Sequence, residues 1–140
     1  SVASRGLGDV YKRQRQILTD TTNPKDALAS RKTAVGLWPA AGTILGARAL
    51  EQGAEKYGAY NWRITRVRMS IYLDAMERHL LALRDGEDAA SDSQVSHLGH
   101  ILASAAILAD AWAAGTLIDD RPPPGPAAAL LAYFEKTDGS

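Results

Sequence analysis

Residues 91–115 place the tightest constraint on how this chain folds. Val95, Leu98, Leu102, Ala105, Ala109 and Trp112 recur at three- and four-residue intervals. At about 100° per residue that spacing lines one side of an α-helix. Ser91 and Gln94 stand ahead of the run as Ser-x-x-Gln, the pattern of a capping box, and Gly115 follows as a stop. The reading is a helix that runs to Ala114 and has one apolar core face. His97, His100 and Ser104 fall on a second, partly polar side.

Two more segments share this periodicity. A first helix begins near Pro39, a residue suited to the opening turn, and stops at Gly58. Gly42, Gly46 and Gly53 lower its intrinsic propensity. Yet Gly46, Leu50, Gly53, Ala54 and Tyr57 share a side, which predicts a close helix–helix contact. A loop, Ala59–Arg68, leads to a second helix over Ser70–Asp85 that ends at Gly86. Its buried stripe is Tyr72, Ala75, Met76, His79, Leu80 and Leu83, with Asp74, Glu77 and Asp85 towards solvent. Beyond Gly115, Asp119–Pro126 (DDRPPPGP) reads as a stiff, extended connector, and Ala127–Lys136 as a short final helix. No strand pattern and no repeat is evident. The expectation is an all-α fold: a helical bundle of three main helices plus a short C-terminal helix, spanning residues 15–118 with residues 119–140 as the connector and last helix.

The bulk properties narrow the function classes. Sixteen basic and sixteen acidic residues cancel, which argues against binding a nucleic-acid polymer and leaves a mononucleotide open. With no cysteine, disulfides and zinc–thiolate sites are excluded. No apolar run reaches membrane-spanning length and no hydrophobic signal core opens the chain, so the expectation is no membrane and a cytoplasmic protein. Residues 1–14 (SVASRGLGDVYKRQ) read as translated sequencing adapter, or alternatively as a natural disordered tail. The polar arm Thr19–Lys32 precedes the first helix, and Asn23 and Lys25 in it either close over a substrate or cap a turn.

The residues able to do chemistry are concentrated between positions 51 and 100. In KYGAYNWR, Lys56 and Arg63 offer cations to phosphate, Asn61 suits a base edge or sugar, and Trp62 a base face, with Tyr57 beside them. Tyr57 and Trp62 could equally anchor the loop in the core. Arg78 can fork onto phosphate or pair with Asp74 one turn away. His97 and His100 stand one turn apart, the reach of a shared ligand, and His79 lies within an apolar stripe. The short connection Gly86–Ala90 favours an antiparallel hairpin, which would set His79 and Arg78 opposite the other two histidines with Glu87 at the open end. Glu51 and Glu55 offer hard oxygen ligands or, with Arg48, a solvated charged face. Glu87 and Asp88 follow a helix C-terminus, where the dipole disfavours carboxylates, so a cation site is one reading and an acidic loop the other. Asp92 is either a ligand or a complement to the next helix dipole.

In their order, the strings NPKDALASRKTAVGLWP, GAEKYGAYNWR, YLDAMERH, GED, HLGHILASAAILAD and DDRPPPGPAAALL resemble the phage-borne dATP/dGTP diphosphohydrolases, over most of the chain from about Asn23. The resemblance implies a MazG-like all-α bundle that hydrolyses a purine dNTP to monophosphate and pyrophosphate, uses Mg²⁺ or Mn²⁺, and assembles as a homo-oligomer. It implies His79, Glu87, His97 and His100 as catalytic groups. Lys56, Tyr57, Asn61, Trp62, Arg63 and Arg78 would bind substrate, and Glu51, Glu55, Glu87, Asp88 and Asp92 the metal. The chain departs from the pattern in two places. The ExxE…ExxD layout of MazG-like enzymes is absent, since Glu51 and Glu55 are four apart. The family's D-P-[E/D]-S-G run reads here Ala90, Ser91, Asp92, Ser93 and Gln94. A catalytically silent nucleotide-binding or helical interaction module is the alternative.

Overall fold

The computed structural model describes residues 6–13 and 23–135. Within the sequence reading, residues 1–5 and 14 of the tail, Thr19–Thr22 of the arm and Lys136 lie outside the described residues. The chain divides into two compact units, Ser1–Pro39 and Ala40–Ser140. In the first, residues 6–13 form a helix, α1, exposed along its length. A one-and-a-half-turn helix follows, α2 (Pro24–Ala29), then a 3₁₀ turn at Val35–Leu37. Asn23 caps α2, its side-chain oxygen accepting the Lys25 N–H at 3.0 Å.

The second unit is the all-α MazG-like bundle. Its main helices are α3 (Ala40–Tyr57), α5 (Met69–Arg84) and α6 (His97–Ala114), with α4 (Asn61–Ile64) and α7 (Ala127–Tyr133) as short additions. Glycines in the left-handed region close all three main helices: Gly58 at φ +89°, Gly86 at +90° and Gly115 at +77°. Those three ends fall where the sequence puts them. Helix α6 is the hub, packing on both α3 and α5. The α3 seam is close because small residues meet there. Gly46 lies against Leu102 and the backbone of Ala103, and at Gly99 a Cβ would sit 2.5 Å from the Leu45 carbonyl oxygen. Ala49, Val95 and Ala103 form one apolar cluster; Trp62, Val67 and Ala111 form another, with Leu50, Tyr72, Ile107 and Leu117 against it.

The structure corrects four expectations. Helix α6 starts at His97, not at Ser91, and the capping box is not formed. Gln94 turns left-handed at φ +60°, while Ser96 is the true N-cap, its hydroxyl accepting the Leu98 N–H at 3.1 Å. An antiparallel bridge between Ala89 and Ser96 holds residues 89–96 in a turn and competes successfully with a longer helix. The expected core stripe of α6 is buried only in part: Val95, just ahead of the helix, and Leu102 pack inward, but Ala105 and Ala109 are exposed. Leu98 and Trp112 are exposed, whereas His97, Gly99, Ala103, Leu108 and Ala111 are buried. Small side chains win the buried face because only they allow neighbouring backbones so near. Within Ala59–Arg68, read as a loop, α4 and a two-residue strand form; the strand, β1 (Val67–Arg68), pairs in parallel with β2 (Leu117–Ile118). Too short to show alternation, these strands leave no period in the sequence. Tyr57, placed on the α3 contact side, is instead exposed.

Gly99 generates the test of this packing. Replacing it with alanine would force a methyl group onto a backbone carbonyl that cannot swing aside. A loss of about 1–3 kcal/mol is expected, measured by urea unfolding; an unchanged midpoint would contradict so close a seam.

Candidate functional site

The turn between α5 and α6 builds the site. After Gly86 the chain reverses, with the His97 N–H donating to the Asp88 carbonyl at 2.9 Å and the Ala90 N–H to the Val95 carbonyl at 2.9 Å. The two helices then run antiparallel, and all three histidines of the sequence meet. His79 Nδ1 lies 2.8 Å from His97 Nδ1, so one donates and the other accepts. The His79 ring also stacks on that of His100, with centroids 4.5 Å apart and planes within 5°. His100 Nε2 is 2.9 Å from the Ser93 hydroxyl, which itself accepts the Val95 N–H at 3.1 Å.

His97 is the buried member, 5% exposed. Glu87 Oε1 approaches its Nε2 to 3.3 Å, yet that nitrogen makes no hydrogen bond among the described residues. A buried ring nitrogen left unpaired is costly in a purely structural cluster. Burial lowers the affinity of His79 for a proton, and the neighbouring His100, His97 and Arg78 lower it further against Asp92. His100 is lowered in the same way by burial, opposed by Asp92 and reinforced by His97 and Lys56. Neutral imidazoles, able to accept a proton, thus stand within the fields of Lys56, Arg78 and Asp92.

The other sequence candidates occupy different ground. Trp62 is buried and gives its indole N–H to Asp110 at 2.6 Å. Arg63 clamps the same carboxylate with Nε at 2.8 Å and Nη2 at 2.9 Å. Asp110 lies ten residues beyond His100, about 15 Å along α6, so this pair is engaged away from the histidines. Tyr57 is exposed. Glu51 and Glu55 are exposed on α3, and Glu51 lines a cavity with Tyr60, Asn61 and Trp62. Among the described residues no three histidine or carboxylate groups converge in a geometry able to hold a metal ion. Asp88 contributes its carbonyl to the turn, and Asp88 and Asp92 are both exposed.

Sequence reasoning missed four residues that hold these parts in place. Ser93 engages His100, and Gln52 on α3 donates to the Ser93 carbonyl at 3.2 Å. Asp120 accepts the Ser70 N–H at 2.8 Å and its hydroxyl at 2.5 Å, capping α5 from the connector. Asp110 was detectable, because it is the single carboxylate in a helix without lysine or arginine. Arg63 first and Trp62 second hold its pKa at about 2. Gln52 and Asp120 gave no signal, since their partners are distant in sequence, whereas Ser93 lies only seven residues from His100.

The lowered proton affinities predict a pH dependence. A histidine harder to protonate when folded makes the unfolded chain the better proton acceptor below the ordinary value of 6.5. Stability is therefore full above that value and falls on acidification, in a window where Asp110, at about 2, does not titrate. The melting temperature is expected to drop between about pH 7.5 and about pH 5.5, and less so in His79→Gln. A flat profile in the parent protein would contradict buried, neutral imidazoles.

Residues 22–121 match the family described as dATP/dGTP diphosphohydrolase, N-terminal. No curated protein and no solved structure matches the chain.

Proposed function

Because the chain belongs to the dATP/dGTP diphosphohydrolase family, matching its N-terminal domain over residues 22–121, we propose that it hydrolyses purine deoxynucleoside triphosphates to monophosphate and pyrophosphate with Mg²⁺ or Mn²⁺. The single observation that carries this reading beyond the family is the cluster of His79, His97 and His100 beneath Glu87, within the fields of Lys56 and Arg78. Cleavage between the first and second phosphates needs a water deprotonated in place and the phosphate charge offset. His79, neutral and partly buried, accepts the proton. His97 holds that ring through the Nδ1–Nδ1 hydrogen bond, and Glu87 lies 3.3 Å from the far side of His97. His100, fixed by Ser93, stacks on the other side. Lys56 and Arg78 draw the triphosphate to the cluster.

The proposed metal needs oxygen donors. Magnesium takes one or two protein carboxylates and completes its shell with substrate phosphates and water, so three converging groups are not required. Glu51 and Glu55, one turn apart on exposed α3, suit that role, with Asp88 and Asp92 on the turn as further oxygen donors. When bound, the ion would neutralise charge on the phosphates.

The same reading makes the active form a homo-oligomer. No large side chain is fully buried among the described residues, and Ile44, Leu98 and Trp112 stand exposed, an arrangement a second copy would cover. No helix among the described residues is long and apolar enough to cross a membrane, and we place the reaction in the cytoplasm.

Two assays test the proposal. With inorganic pyrophosphatase and phosphate detection, dATP and dGTP are expected to release pyrophosphate only when Mg²⁺ or Mn²⁺ is present. Inertness on all four deoxynucleotides would contradict it. His79→Ala and His97→Ala are each expected to lower turnover by at least about tenfold, roughly 1.4 kcal/mol of barrier, with helicity retained by circular dichroism. Full specific activity in the folded fraction would make the histidines core residues.

A further inference from the structure

Away from the histidines, a cavity of about 310 Å³ opens between α3 and α4, walled by Leu50, Ala54, Tyr60, Asn61 and Trp62 with Glu51 at its edge. Its walls are largely apolar, with one amide among them, and no cation lines it. It therefore rejects phosphate and suits a flat, weakly polar ring. Two aromatic rings that touch each other, Tyr60 and Trp62, wall one side of the space, with centroids 5.3 Å apart and planes tilted by 48°. Trp62 has committed its indole N–H to Asp110, so it offers carbon surface alone. Asn61 carries a carboxamide, a donor and an acceptor side by side, which matches the paired groups on the edge of a purine.

Tyr60 adds an independent sign. Its backbone is left-handed, at φ 55° and ψ 30°, a conformation that an aromatic residue rarely adopts. Strain of this kind concentrates where a side chain must be presented to a ligand. The Arg63 guanidinium lies 4.5 Å from the Tyr60 ring centroid, and the Arg63 N–H donates to the Tyr60 carbonyl at 3.0 Å. Asp110, holding both Arg63 and Trp62, fixes the whole rim to α6. Lys56 lies five residues past Glu51, about 7.5 Å along α3, and its charge reaches His100.

We propose that this cavity seats the heteroaromatic base of a nucleotide, with Asn61 reading its edge, the joined Tyr60 and Trp62 rings walling one side, and the phosphates leading out past Glu51 towards Lys56. The choice of a nucleotide rests on the function proposed above, whereas the apolar seat for a planar ring rests on the cavity itself.

Gly53 supplies the test, because it lines the cavity and a Cβ built on it meets nothing within 4 Å. Gly53→Leu would fill the seat without displacing backbone and with better helix propensity. Calorimetry is run with Mg²⁺, using dATP in the form of its non-hydrolysable α,β-bridged analogue and inorganic tripolyphosphate as probes. The parent protein is expected to bind dATP more tightly than tripolyphosphate. Gly53→Leu is expected to lose dATP affinity by about tenfold or more while tripolyphosphate binding holds, and Asn61→Ala to weaken dATP in the same selective way. A parent protein that binds both probes alike, or a Gly53→Leu variant that keeps its preference for dATP, overturns the proposal. A selective loss in a protein that turns over no deoxynucleotide would uphold the base seat and overturn the hydrolytic reading instead.

Discussion

Everything distinctive in the bundle depends on how low the surface of α6 is kept. Gly99, Ala103 and Ala111 are buried, and at Gly99 there is no room for a single methyl group against the Leu45 carbonyl. That close approach lets one helix be flanked by α3 and α5 at once. A larger residue on this face would push α3 outward and carry Gln52 away from the Ser93 carbonyl. The turn before α6 would then lose its tie to α3, and His100 would lose the ordered partner that fixes its ring. Packing by small residues is therefore what allows a short chain to place polar groups from three elements in one region.

Polar contacts do the remaining positioning. Asp110 receives Trp62 and Arg63 and so anchors the α4 turn, while Asp120 caps α5 from the proline-rich connector. Both carboxylates are stabilised as anions by these donors. The histidine cluster differs in kind. His97 keeps a buried nitrogen with no hydrogen bond, and His79 and His100 resist protonation. The contrast sets the histidine cluster apart from these two satisfied carboxylates.

The sequence carried the helix ends well, because Gly58, Gly86 and Gly115 each close a helix through a left-handed φ that glycine alone adopts freely. The hairpin that joins α5 to α6 was also legible from a short connection. The face of α6 was not. Periodicity weighs large apolar residues most, and here Leu98 and Trp112 point outward while glycine and alanine are buried. The start of α6 was equally hidden, since Ser91 and Gln94 satisfy a local pattern and the Ala89–Ser96 bridge that overrides it is a tertiary choice. In the candidate site, the histidines stood out as rare residues at helical spacing. Trp62 and Arg63 could not be sorted from the same string without Asp110, nearly fifty residues away.

In the proposed function a nucleotide spans the α3–α4 cavity and the histidine cluster. The most direct measurement is a nitrogen–proton NMR titration with a non-hydrolysable dATP analogue and Mg²⁺. The Asn61 side-chain amide and the imidazoles of His79 and His100 are expected to shift together along one saturation curve, with the Trp112 indole unmoved. Shifts confined to Trp112 and its neighbours Met69 and Leu117, which line a separate groove at the far end of α6, would contradict it.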